Sequence, residues 1–323
     1  MTPADVRLEP SGLCPLEPDG RNCGRRWWRA DATADGAAPE WAGQSFQIEH
    51  CTRCDIRFTD PIPTQDALPR LYGGRASRDF QAEDPPPVAV LKSLVARREV
   101  RRIARRAGAG PAARVLDYGC GNGARALALR DVLPGASIVA ADWHDGPPWA
   151  LRGARQPVGY ASYAELRTAA EPFDLVYCRH VVEHTRDPVA LLRELRGMLA
   201  PTGVLVVEVP SAATPLRRLF GPRWEAYYAP FHTIHLTERS LEALLDRAGL
   251  AMARLDRAEV PYMGRSMRNL IGRPYSMRMF ALGLLLHPLQ VAAGTVSGRG
   301  TCLRAYARAG PTASEPPRAR SSG

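Results

Sequence analysis

Apolar residues along this chain fall into short strand-length runs that alternate with stretches of helical period. That alternation specifies a parallel sheet with helices packed on its faces. The run at Val115 and Leu116 ends in Asp117, passes Gly119, Gly121 and Gly123, and enters a helical stretch from Ala124 to Val132. A second run, Ser137 to Ala141, ends in Asp142, and a third, Phe173 to Cys178, leads into Arg-His-Val-Val-Glu-His at 179–184. Val189, Leu191, Leu192, Leu195 and Leu199 then recur at helical spacing, followed by Ala-Pro-Thr-Gly at 200–203 and a strand from Val204 to Val209. Thr237 is placed to cap a helix over 238–248 that Gly249 ends. Strands near Ala251–Val260 and Cys302–Ala309 would complete the sheet. Upstream, a helix from about Val88 to Ala107 sets Val90, Leu91, Leu94, Val95 and Ile103 on one side. Arg97, Arg98, Arg101, Arg102, Arg105 and Arg106 form its other side, read here as a solvated face.

The glycine turn carries most of the chemistry. Glycines let a backbone approach a ligand closely and adopt positive φ. Gly119, Gly121 and Ala124 also fit the dinucleotide pattern G-x-G-x-x-G/A, so the spacing alone does not choose a ligand. Asp117 does. A carboxylate two residues before the first glycine repels a pyrophosphate and attracts the ammonium and sulfonium of S-adenosylmethionine. Asp142, at the end of the next strand, is placed to accept hydrogen bonds from ribose hydroxyls.

Four segments, VLDYGCGNG, VAADW, FDLVYCRHVVEHTRDP and MLAPTGVLVVEVP, together resemble the class I S-adenosylmethionine-dependent methyltransferases. The family usually has Gly-Gly where Thr202-Gly203 stands. The resemblance implies a Rossmann-like, doubly wound α/β sheet of seven strands with the last strand antiparallel. It implies S-adenosylmethionine held by Asp117, Gly119, Gly121, Gly123, Asp142, Trp143 and Arg179. FQIEHCTRCDIRFTDPIP resembles the zinc-ribbon lead-in of bacterial members. On that basis residues 1–60 are expected to form a small cysteine-containing ribbon module. A linker and helix over 61–110, the methyltransferase domain over 111–309 and a disordered tail over 310–323 complete the organisation.

Cys51-Thr-Arg-Cys54 is a clean thiolate knuckle, while Cys14 and Cys23 form a wider pair. Four thiolates suit one tetrahedral zinc on Cys14, Cys23, Cys51 and Cys54. A metal-free ribbon and a redox pair are the alternatives. The amino terminus lacks the apolar core of a signal peptide, so a cytoplasmic, reducing setting is expected, with Cys120, Cys178 and Cys302 buried as small hydrophobes.

Transfer of a methyl group to oxygen needs positioning, exclusion of water and a base. His180 follows the third run, and His232 and His235 lie in Pro-Phe-His-Thr-Ile-His-Leu-Thr. His232 is the leading base, with His180 and His235 as alternates, because Trp224, Tyr227 and Tyr228 surround its loop in sequence. A small-molecule acceptor (sugar, glycan or secondary metabolite) is expected, and no nucleic-acid partner. An RNA- or protein-directed methyltransferase and a dinucleotide-binding protein are the other readings. The net charge of +10 comes from arginine, with Lys92 the sole lysine, and follows from composition rather than a selected surface. Met279 to Val296 is apolar but interrupted by His287-Pro288 and Gln290. It is expected to be a buried amphipathic helix near the pocket, with no integral membrane association.

Overall fold

The computed structural model describes residues 8–11, 14, 16, 25–31, 45–67, 86–154, 157–168, 171–272 and 277–310. The expected tail and Cys23 lie outside them. Period-two alternation builds the amino-terminal part. In β3 (Ser45–Cys51), Phe46 and Ile48 point inward while their neighbours face out. β3 pairs antiparallel with β2 (Arg25–Asp31) and with β4 (Arg57–Asp60). β4 takes its other partner from far along the chain, β11 (Ile234–His235), in the register Phe58 to Ile234. β1 (Leu8–Glu9) and β5 (Ile62–Pro63) form a separate antiparallel pair. The amino-terminal strands are therefore hydrogen-bonded into the carboxy-terminal half.

The main sheet starts after the long helix α1 (Pro86–Ala107). It comprises β6 (Arg114–Tyr118), β7 (Ser137–Asp142), β8 (Gly159–Ser162), β9 (Phe173–Arg179), β10 (Leu199–Pro210), β12 (Leu250–Ala258) and β13 (Cys302–Ala309). The order is β12-β13-β10-β9-β6-β7-β8. Only β13 runs against its neighbours, as expected for the last strand. Strands covered on both faces read as continuous apolar runs, and alternate residues serve opposite layers. Leu175 and Tyr177 pack with Val100, Ile103 and Leu129 on one face. Val176 and Cys178 pack with Leu192, Leu241 and Leu244 on the other. α2 (Ala124–Val132) lies on the first face, and α5 (Pro188–Gly197) and α7 (Glu238–Arg247) lie on the second. Asp187 caps α5 by accepting from the Ala190 N–H at 2.8 Å. Thr237 caps α7 as expected, in a reciprocal pair with Ser240.

Two expectations about apolar faces are corrected. In α1 the buried stripe is Ala96, Val100, Ile103 and Ala107, while Val90, Leu91, Leu94 and Val95 are exposed. Among the described residues the helix meets the sheet only through its second half, and nothing there covers the apolar residues of its first half. The helix expected to be buried over Met279–Val296 is α9 (Met277–Ser297), and its surface is largely open. Only Gly283, Gln290 and Gly294 along it are buried.

Beneath the carboxy ends of the central strands lies a buried ion network. Glu208 of β10 is fully buried and accepts from Arg179 Nε at 2.8 Å and from Arg304 Nε at 2.6 Å. Arg304 also meets Glu99 of α1, and Arg125 of α2 donates to the same Glu99 at 2.8 Å. Burial raises the Glu208 carboxyl, but Arg179 and Arg304 overcome it and hold the group well below the usual carboxylate range. Glu208→Gln leaves two buried guanidinium groups without their anion. Denaturant titration should show a loss of about 3–5 kcal/mol. Unchanged stability would show that the network is dispensable.

Candidate active site

The β6–turn–α2 connection forms the floor of the site. Gly119, Gly121 and Gly123 have φ of 75°, 53° and 78°, the left-handed region that favours glycine. A Cβ at Gly119 would lie 2.2 Å from Val181 Cγ2, so that turn is closed by the loop after β9. A Cβ at Gly121 would meet nothing within 4 Å. Backbone there faces open space, which is the cradle a ligand needs.

Two carboxylates flank this cradle. Asp142 accepts from the Gly121 N–H and the Trp143 N–H, both at 2.9 Å, and so ties the glycine turn to the end of β7. Burial raises its pKa. Asp117 is buried, and its Oδ2 has no hydrogen-bond partner. Burial pushes its carboxyl up to about 7, against the pull of Arg125. A buried, unpartnered carboxylate oxygen beside an open glycine turn is a poor place for phosphate and a good one for a cation. The residues present therefore fit the ammonium of S-adenosylmethionine. Trp143 is half exposed and lies against the His144 ring at 3.8 Å between centroids. Arg179 is held inward by Glu208.

Two loops meet above the carboxy ends of β9 and β10. His180 has φ 52°, unusual for a side-chain-bearing residue. Its N–H donates to the Glu208 carbonyl at 2.8 Å, and Nδ1 lies 2.8 Å from Glu183 Oε1. The Thr233 N–H donates to the Glu183 carbonyl at 2.8 Å, and His184 Nδ1 donates to the Phe231 carbonyl at 3.0 Å. These bonds clip the 180–185 loop to the 231–235 loop, and the His184 and His232 rings meet edge to face at 4.6 Å.

His232 donates from Nδ1 to the Ala226 carbonyl at 2.9 Å, so the lone pair of the neutral ring is on Nε2. Burial, then His184 and His235, lower its pKa well below the ordinary range. His235 is held differently. Thr59 Oγ1 donates to the His232 carbonyl at 2.6 Å and accepts from His235 Nε2 at 3.0 Å. Burial and Arg57 lower His235 to about 3. Both imidazoles stay neutral. A small cleft opens here, lined by Ser211, Arg217, Trp224, Tyr227, His232 and His235. The structure thus brings His232 and His235 together in one cleft wall, while His180 stands on the neighbouring loop beside Glu208.

Sequence reasoning passed over Glu183 and Glu208. Glu208 had a signal, a lone acid inside the apolar strand Val204–Val209. Glu183 had only its place three residues after His180. Glu183, His184 and His232 offer donor atoms within 4.8 Å of one another and could hold a divalent cation. In the amino-terminal part, Cys14, Cys51 and Cys54 are a second such group. Cys54 Sγ is 3.1 Å from both Cys14 Sγ and Cys51 Sγ. The hydrogen bond with Cys54, then burial, push the Cys14 thiol up. Cys120, Cys178 and Cys302 are buried as expected.

A family model described as a methyltransferase domain matches residues 92–255. A "probable S-adenosylmethionine-dependent methyltransferase" of Mycobacterium tuberculosis is 31% identical over 137 residues, covering 42% of this chain and 47% of that protein. A ubiquinone biosynthesis O-methyltransferase of Dinoroseobacter shibae is 30% identical over 149 residues, covering 42% of this chain and 59% of that protein. The chain spans about half the length of the curated relatives it matches. Among solved structures, magnesium protoporphyrin IX methyltransferase of Synechocystis with bound SAH aligns at 17% identity and a TM-score of 0.45. That alignment covers 61% of this chain and 94% of the other.

Proposed function

Because this chain belongs to the methyltransferase-domain family and its domain is of the S-adenosylmethionine-dependent class, we propose that it methylates an oxygen of a small molecule bound in the cleft beside His232. The observation that carries this is the buried, unpartnered Asp117 oxygen at the open Gly121 turn, one loop away from a small aromatic and histidine cleft. The name of the Dinoroseobacter relative supports oxygen as the acceptor atom.

S-adenosylmethionine supplies the methyl group when bound. The protein does the rest. Asp117 would pair with the cationic end of the cofactor, the Gly119–Gly123 backbone would let it lie close, and Asp142, which holds the turn, would offer its remaining lone pairs to ribose. Trp143 would cover the adenosine side, and Arg179 orients the loop after β9 through Glu208. His232 accepts the proton of the acceptor hydroxyl on Nε2, as its Nδ1 is committed to the Ala226 carbonyl. His235 lines the same wall, and His180, oriented by Glu183, is the alternate base.

The Asp117 pKa gives a pH dependence with a definite sign. The free carboxyl titrates at about 7, and pairing with a cation lowers that value, so binding releases a proton below pH 7. Affinity for S-adenosylmethionine should then fall as pH drops below about 7, by up to roughly tenfold per unit. Calorimetric titrations across that range check it. Asp117→Asn should bind more weakly and show no such slope; an equally steep slope in that variant would exclude Asp117 as its source.

His232→Ala should lower turnover by about 100-fold or more with cofactor affinity nearly unchanged. Burial keeps the His232 ring neutral in acid, so wild-type turnover at saturating cofactor should persist below the ordinary histidine pKa of about 6.5. Wild-type rates in the alanine variant would reject the role and leave positioning alone as the source of the rate.

The ribbon is assigned a structural zinc. A tetrahedral zinc with Zn–S near 2.3 Å spaces its sulfurs about 3.8 Å apart, so the two Sγ–Sγ separations of 3.1 Å at Cys54 need to open only slightly. Cys14, Cys51 and Cys54 would supply three ligands, and Cys23, outside the described residues, the fourth. Elemental analysis should find about one zinc per chain, reduced in Cys51→Ser. A metal-free, stably folded wild-type chain would remove the assignment.

A further inference from the structure

β12 and β13 are joined by a helical hairpin, α8 (Met263–Ile271) and α9. The two helices touch at Gly264 and Gly283, where an added Cβ on Gly264 would lie 2.9 Å from Gly283 Cα. Further along α9, Gln290 donates to the Val260 carbonyl at 2.7 Å and to Glu259 at 2.9 Å. Gly294 packs on Glu259. One edge of α9, from Gly283 to Gly294, is thus held against the protein.

The other side is a row of large apolar side chains that nothing among the described residues covers. Leu285, Leu289 and Val296 are 74%, 64% and 89% exposed. Leu284, Val291 and Met277 are also exposed, as are Leu270 and Ile271 at the end of α8. A helix facing water normally carries polar residues on that side. This one is 21 residues long, with a mean hydropathy of 1.5 over its most apolar window.

Charge says what covers it. Between Pro261 and Gly300 the sequence has five arginines (Arg265, Arg268, Arg273, Arg278, Arg299) and no acidic residue. Arg268 is buried on Glu225, and Arg273 lies outside the described residues. Arg278 and Arg299 are exposed around the apolar face, and Arg265, exposed as well, also reaches Glu225 at 3.6 Å. An apolar stripe edged by arginines matches the interface of an anionic bilayer, with acyl chains against the leucines and phosphates against the guanidinium groups. Because one edge of the helix stays bound to the protein, it can lie in the interface but not cross it.

We propose that the exposed face of α8 and α9 docks this protein on the surface of an anionic phospholipid bilayer. The docked face adjoins the acceptor cleft. α8 packs on the segment 216–227 that supplies Arg217, Trp224 and Tyr227 to the cleft wall, and Trp224 meets Tyr262 at 5.6 Å.

The test is cosedimentation of the full chain with vesicles of phosphatidylcholine alone or with about a third phosphatidylglycerol. The wild type should partition at least about tenfold more strongly onto the anionic vesicles. The double variant Leu285→Glu, Leu289→Glu should lose that binding. Arg278→Glu should weaken it and flatten its salt dependence. These side chains are exposed, so the variants should fold, which cofactor titration checks independently of any vesicle. Absence of wild-type binding, or equal binding by the double variant, would overturn the proposal. So would a dimer in gel filtration that Leu285→Glu splits without any vesicle binding, because the face would then join two copies of this chain.

Discussion

The carboxylate of Glu208 is the constraint around which the site is built. It sits without solvent contact in the central part of the sheet, and an anion there is tolerable only because Arg179 and Arg304 reach it. Those two arginines come from the strands on either side, β9 and β13. Glu99 and Arg125 extend the network to α1 and α2. One buried charge thereby fixes the relative positions of three strands and two helices. The backbone of the same residue accepts from His180, so the loop that closes over Gly119 starts from this anchor.

Above the anchor, burial does the chemical tuning. Asp117 is pushed up to about 7 because its oxygen lacks a partner in a desolvated turn, and a cationic ligand relieves that cost. His232 and His235 are pushed the other way, since burial penalises the imidazolium. An acid that welcomes a cation and imidazoles that stay neutral suit the proposed transfer from a sulfonium to a hydroxyl. The desolvation that produces both shifts also keeps water from competing for the methyl group.

The amino-terminal sheet takes part in this arrangement. β4 pairs with β11, the strand that carries His235, and Thr59 of β4 holds both the His232 carbonyl and the His235 ring. A distortion at Cys51 or Cys54 would travel one strand to reach the cleft wall. The hairpin of α8 and α9 lies against another part of that wall, around Trp224 and Tyr262.

Local pattern alone determined much of this protein. While the single antiparallel strand was implied only by the family resemblance, the strand–glycine turn–helix, the acid at the end of each of the first two strands and the cap at Thr237 follow from periodicity and turn chemistry over short windows. These features are decided within one element and its neighbours, so sequence carries them directly. What touches what across the fold was not written that way. Glu208 showed only as an acid in an apolar strand; its two arginines lie 29 and 96 residues away. His232 and His235 looked alike in one short segment, and the contacts of the His232 ring with the Ala226 carbonyl and of the His235 ring with Thr59, 176 residues away, gave them different hydrogen bonds. The apolar run at Met279–Val296 looked like core, because composition cannot say whether a partner surface exists. The fold left one edge of that helix on glycines and the rest uncovered. Burial is a property of the assembled chain, and burial decides which carboxyl is raised, which imidazole stays neutral and which apolar face is left open.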